Sequence, residues 1–309
     1  MSGVLAGAYP MVVTPFTATG EVATDELAAV VAHQLAGGCA GVSALGLAGE
    51  ATELSLDERR AVARVVVAAA GPGRAIIGCS SDDTAQAREL ALAAAGLGAA
   101  AIMLAAPGTL RATGELVAHY QAVAHAIAPL PLIVQDAPAF LGVTLGRAFV
   151  ESLMQACDNV RHAKPEGTPA VELVAELAAV PGLRVLGGHG GLHLPDELAA
   201  GVVGTLPGPE APAAHQGIVD RWTAGDRDGA RALHARLLPL LVAEFQGLGH
   251  YVLCVKELLV EQGLISTSRT RIAARPLTAF GRELLLATAE RTGLTGLGAG
   301  HRQGRDPIG

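Results

Sequence analysis

Hydrophobic and polar positions alternate in short blocks along this chain, and the blocks come in pairs. Apolar runs of four to seven residues, bounded by Gly, Pro or Asn, predict strands at 8–14, 41–45, 74–79, 99–104, 131–135, 159–164, 183–186 and 201–205. Longer runs with helical spacing follow each of the first seven, at 24–36, 55–70, 83–95, 113–128, 144–154, 169–179 and 194–200. Start and stop signals sharpen several of them. Thr24 and Thr113 stand at cap positions, Ser55 with Glu58 spells a capping box, and Gly37-Gly38 ends the first helix.

Eight strand–helix units within about 205 residues predict a (β/α)8 TIM barrel over residues 1–206. A doubly wound open sheet is the weaker alternative, because Thr14-Pro15-Phe16 follows the first strand where a Gly-rich dinucleotide turn would stand. Helical patterns at 211–223, 227–246, 249–262 and 277–292 predict a C-terminal helical extension, residues 207–292, packed on the barrel. Residues 293–309, rich in Gly and Arg, read as a flexible tail.

Composition narrows the function. Half of the 309 residues are hydrophobic and 3% aromatic, so Ala, Val, Leu and Ile must build the core. A formal charge of −7 argues against nucleic acid or an anionic membrane as partner, and the short apolar runs predict no membrane span. The N-terminus lacks the basic start and apolar stretch of a signal peptide, and Cys39, Cys79, Cys157 and Cys254 are widely spaced. Both features predict a cytoplasmic protein with buried free thiols, and no metal or cofactor is expected. His189 and His193 have metal-ligand spacing but no evident third ligand.

Barrel chemistry sits on the loops that follow the strands. Those loops hold Thr14, Gly46–Glu50, Ser80–Ser81, Pro107–Thr109, Gln135–Asp136, Lys164–Glu166, Gly187–Gly191 and Thr205–Leu206. Of the 22 basic residues only Lys164 and Lys256 are lysines. Arginine stays protonated and cannot attack a carbonyl, whereas a buried lysine amine can. Lys164, at a strand end before Pro165, is therefore the candidate Schiff-base nucleophile. Glu166 is a candidate acid or base beside it. Gly188, His189 and Thr205 are candidate substrate contacts by position. Lys256 lies in an amphipathic helical pattern and reads as a solvated or subunit-facing charge, and Glu50 as the residue that holds its turn together by accepting backbone N–H bonds.

Three of these segments resemble one family in order and spacing. Gly7-Ala8 followed by Thr14-Pro15-Phe16 resembles a G-x-x-x-A-x-x-T-P-F opening, Gly46–Glu50 resembles the G-T-T-G-E carboxylate-binding turn, and Lys164 falls where the reactive lysine ends strand six. On these motifs the chain resembles the dihydrodipicolinate synthase / N-acetylneuraminate lyase family over residues 5–290. The resemblance implies a class I lyase or aldolase that binds pyruvate or a related 2-keto acid as a lysine imine, in a homotetramer or homodimer. It also implies carboxylate binding by Leu47, Ala48 and Gly49, through the backbone N–H groups of Ala48 and Gly49. The family's strand-five Tyr, in Y-N-x-P, is replaced in Gln135-Asp136-Ala137-Pro138, so Gln135 or Asp136 should take the relay position. These departures point away from an authentic dihydrodipicolinate synthase. The alternatives are a 2-keto-3-deoxy sugar acid dehydratase using the same imine, and a catalytically inactive ligand-binding barrel.

Overall fold

A computed structural model describes residues 5–110 and 113–297. Its eight strands are β1 (Gly7–Ala8), β2 (Val42–Ala44), β3 (Ala75–Gly78), β4 (Ala101–Ala105), β5 (Leu132–Asp136), β6 (Val160–Pro165), β7 (Arg184–Gly187) and β8 (Gly204–Thr205). All pairings are parallel, in the order β1-β8-β7-β6-β5-β4-β3-β2. The remaining gap closes just beyond β1, where Met11 bridges Ser43 and the Val12 N–H donates to Ser43 O at 2.7 Å. The predicted barrel is present. Its first strand is shorter than the apolar run 8–14 because Pro10 and Pro15 have no N–H to donate to a ladder.

Helices α1 (Thr24–Ala36), α2 (Leu56–Ala70), α3 (Thr84–Leu97), α4 (Thr113–Ile127), α5 (Pro138–Leu141), α6 (Gly146–Ala156), α7 (Ala170–Ala178) and α8 (Leu194–Ala200) wrap the sheet. The Ser55–Glu58 capping box forms in both directions, at 2.9 and 3.2 Å. Thr24 instead lies inside α1, which starts after Ala23 without a side-chain cap. The short α5 falls in a stretch the sequence pattern left as loop.

Strand alternation divides the core in two. Outward residues such as Ile77, Ile102, Leu104, Val134, Ala163 and Val185 pack under the helices. Inward residues Ile76, Ala101, Met103, Ile133 and Leu186 fill the barrel. The four cysteines are free and buried, as expected.

The extension comprises α9 (Pro212–Thr223), α10 (Arg227–Glu244), α11 (Leu248–Glu261) and α12 (Ala279–Thr292). It has its own apolar cluster of Leu237, Leu240, Leu241, Cys254, Leu258, Leu285 and Ala289, on which Leu294 and Leu297 also pack. The first residues of the expected tail are thus held in place, and Gln262 Nε2 donates to Thr295 O at 2.5 Å. Residues 298–309 of that tail lie outside the described residues. Among the described residues no single helix is long and apolar enough to cross a membrane.

Lys256 corrects an expectation. It is fully buried rather than solvated, with Nζ 2.5 Å from Glu50 Oε1, 2.8 Å from Arg269 O and 4.3 Å above the Phe16 ring. Glu50 accepts backbone N–H bonds as expected, but they come from Arg271 at 2.6 Å and Ile272 at 2.8 Å, not from its own turn. The carboxylate therefore ties the turn after β2 to the extension.

Candidate active site

A cleft opens at the carboxyl ends of the strands. Its walls are Met11, Leu47, Ala48, Gln135, Phe140, Lys164, Glu166, Gly190, Leu206 and Pro207 from the barrel, with Phe245, Leu248 and Tyr251 from the extension. Lys164 and Gln135 are register partners on neighbouring strands, and alternation turns both side chains inward. Lys164 Nζ lies 2.5 Å from Glu166 Oε2, which also accepts Gln135 Nε2 at 2.7 Å. The other oxygen, Oε1, accepts the His189 N–H at 3.1 Å. This carboxylate is thus held from three directions. Burial alone would raise the Glu166 carboxyl; the Lys164 charge and the bonds from Lys164 and Gln135 outweigh it and hold the group below its ordinary value.

The turn after β7 is shaped around that carboxylate. A methyl group on Gly188 would lie 2.6 Å from Glu166 Oε1, so this position takes no larger residue. His189 follows with φ 49°, and the other two non-glycine residues with positive φ among the described residues, Leu45 and Glu50, flank the opposite turn after β2. Backbone strain is concentrated at the two turns that border the cleft.

The structure sorts the expected site residues. Lys164, Glu166, Gln135, Leu47 and Ala48 line the cleft together. Asp136 does not: it points to the outer face, where Oδ2 accepts the Leu145 and Gly146 N–H groups at 3.1 Å each, ahead of α6. Alternation decides between the neighbours, and Gln135 takes the inward position. Gly49 is not a free donor, since its N–H donates to Gly46 O at 3.1 Å and its carbonyl accepts the Thr14 hydroxyl at 2.7 Å. The His189 ring packs edge-on to His193 and Phe245 rather than facing the cleft, so this residue contributes its backbone. Burial lowers its imidazole from the ordinary value, which favours the neutral ring.

Thr205 is also withdrawn. Its hydroxyl is fully buried beneath β7, where a methyl on Gly187 would lie 3.3 Å from it and 2.3 Å from Glu197 Oε2. Glu197 escaped the sequence reading altogether. It has no side-chain hydrogen bond of good geometry among the described residues, and burial raises its carboxyl to about 7. Tyr251, Phe245 and Leu248 were missed as well. Among the described residues no cluster of three or more His, Cys, Asp or Glu is arranged to hold a metal.

The model of the dihydrodipicolinate synthetase family matches residues 4–291. The chain belongs to this family. It is 33% identical over 241 residues to the 4-hydroxy-tetrahydrodipicolinate synthase of Synechococcus sp. (strain CC9605), covering 75% of this chain and 78% of that one. It is 30% identical over 293 residues to the L-2-keto-3-deoxyarabonate dehydratase of Azospirillum brasilense, covering 92% and 94%. Among solved structures, a prophage protein of the same family from E. coli K12, in complex with pyruvate, superposes with a TM-score of 0.86. That pair shares 25% identity over 94% of this chain and 100% of the other. The protein is thus a lyase of the dihydrodipicolinate synthase type on a (β/α)8 barrel.

Proposed function

We propose that Lys164 forms an imine with the C2 carbonyl of a 2-keto acid, and that the reaction is loss of the C4 hydroxyl from a short 2-keto-3-deoxy sugar acid. One observation carries this reading: the Glu166 carboxylate lies 2.5 Å from the nitrogen that would become the imine. In such an adduct C3 is two bonds from that nitrogen, within reach of Glu166 Oε2. Protonated imine nitrogen acidifies the C3 hydrogen, and a fixed carboxylate beside it is the base elimination needs. The enamine that results expels the C4 oxygen as water, and hydrolysis of the conjugated iminium returns the free lysine.

Aldol cleavage through the same imine requires a base on the C4 hydroxyl instead. The β5 position that holds a phenol in the family holds Gln135 here, and an amide does not titrate in this range. The buried and fully bonded Lys164–Glu166–Gln135 set argues against an inactive barrel. The apolar remainder of the cleft, from Met11 to Leu248, suits a short substrate better than a long polyol.

The test is to offer a 2-keto-3-deoxypentonate and follow products by mass spectrometry. Loss of water is the expected outcome, and Glu166→Gln should slow it by about 10²–10⁴-fold while leaving covalent capture of pyruvate at Lys164. Release of pyruvate and an aldehyde would establish the aldolase in its place.

A further inference from the structure

Elimination of a hydroxyl needs an acid as well as a base; Glu166 enters the reaction as the base, and the Gln135 amide is no acid in this range. Glu166 is held as the carboxylate beside the amine. Among the described residues lining the cleft, Tyr251 carries the one hydroxyl. It comes from α11, is 5% exposed, and packs edge-on against Phe245 with ring centroids 5.2 Å apart. Its oxygen borders the same turn that seats Glu166, since a methyl on Gly190 would lie 3.5 Å from it.

Behind Tyr251 sits a polar group that nothing in the reaction so far employs. A methyl on Gly208 would lie 2.2 Å from the Tyr251 hydroxyl and 2.1 Å from Glu210 Oε2, so the two oxygens flank one bare stretch of backbone. Glu210 Oε1 lies 3.2 Å from His215 Nε2, and both residues are fully buried. Glu244 is fully buried too, and neither of its oxygens has a hydrogen-bond partner among the described residues. Glu210 Oε2 and His215 Nδ1 are likewise unpartnered there. A fully buried carboxyl with neither oxygen hydrogen-bonded disfavours ionisation, so Glu244 can store a proton. Burial and the Glu210 charge raise Glu244 well above its ordinary value, in keeping with Glu244 as the protonated member.

We propose that Tyr251 is the general acid for the departing hydroxyl, and that the buried Glu210–Glu244–His215 cluster returns its proton. The inference rests on the dehydration reading above. The C3–H bond breaks and its proton passes to Glu166, while the electron pair forms the C2–C3 double bond of the enamine. That pair then shifts to C3–C4, the C4–O bond breaks, and the oxygen takes the phenolic proton and leaves as water. The phenolate is reprotonated from the carboxyl cluster. Glu166 ends with one extra proton and the cluster with one fewer, and exchange with solvent water resets both.

The test compares two substrates in Tyr251→Phe and Glu244→Gln: the hydroxy acid and its analogue with fluorine in place of the C4 hydroxyl, since fluoride departs without prior protonation. Borohydride capture of pyruvate at Lys164 reports that each variant keeps a working pocket. The proposal expects Tyr251→Phe to lose about 10²–10⁴-fold in water elimination with fluoride loss unchanged, and Glu244→Gln to show the same selectivity with a smaller drop. Equal losses on both substrates, or no loss on either, would overturn it. A wild-type protein that captures pyruvate but eliminates neither group would refute the dehydration reading, and this inference with it.

Discussion

The two lysines of this chain make the same bond in two different places. Each side-chain nitrogen lies 2.5 Å from a buried glutamate, Lys164 from Glu166 and Lys256 from Glu50. Around Lys256 every direction is closed: Arg269 O, the face of Phe16 and the helix α11 leave no path for a carbonyl compound. Lys164 has a cleft in front of it. Burial and pairing are common to both, so reactivity is decided by access and by what stands ready as a base. The Lys256 pair does a different task, joining the turn that borders the cleft to the extension that supplies Tyr251.

Exchanging each lysine for methionine separates these roles. Lys256→Met leaves Glu50 charged in a dry site and should lower unfolding stability by about 3–5 kcal/mol, read from the denaturant midpoint. Lys164→Met should cost much less, because Glu166 keeps Gln135 and His189 as donors and the cleft admits water. Its loss is of adduct formation, not of fold. A Lys256→Met protein as stable as the wild type would show that this pair is no clamp.

Glu197 extends the comparison to a buried carboxyl with no lysine. Its folded value of about 7 exceeds the ordinary 4.5, so the folded state keeps a proton that the unfolded state has released across that interval. Stability should therefore fall as pH rises from 4.5 through 7, by an amount on the order of 3 kcal/mol. Glu197→Gln should remove this slope and be the more stable protein at pH 8, measured by thermal melts across the range. An unchanged slope in the variant would place the titration elsewhere.

Much of this arrangement is legible from the chain itself. The spacing of apolar blocks is enough for the barrel, and the rule that chemistry follows the strands brings Lys164, Glu166, Gln135, Leu47 and Ala48 to one cleft. The choice between Gln135 and Asp136 needed the register, since alternation says only that one faces inward. Lys256 was misread because its partner is 206 residues away, and helical periodicity cannot see an ion pair across that separation. Tyr251 is hidden from sequence for a related reason: it lies outside the barrel loops, in α11, which folds back over them. With only three tyrosines in the chain, an isolated one in a C-terminal helix was the available signal. Thr205 and His189 stand at the right strand ends, yet packing turns the first inward and the second aside.

The central claim is that Lys164, and not its buried counterpart, forms the imine. The most direct measurement is reduction with borohydride in the presence of pyruvate, followed by peptide mass spectrometry. The account predicts one reduced pyruvyl adduct, on Lys164, absent from Lys164→Met. An adduct on Lys256, or none with any 2-keto acid offered, would contradict it.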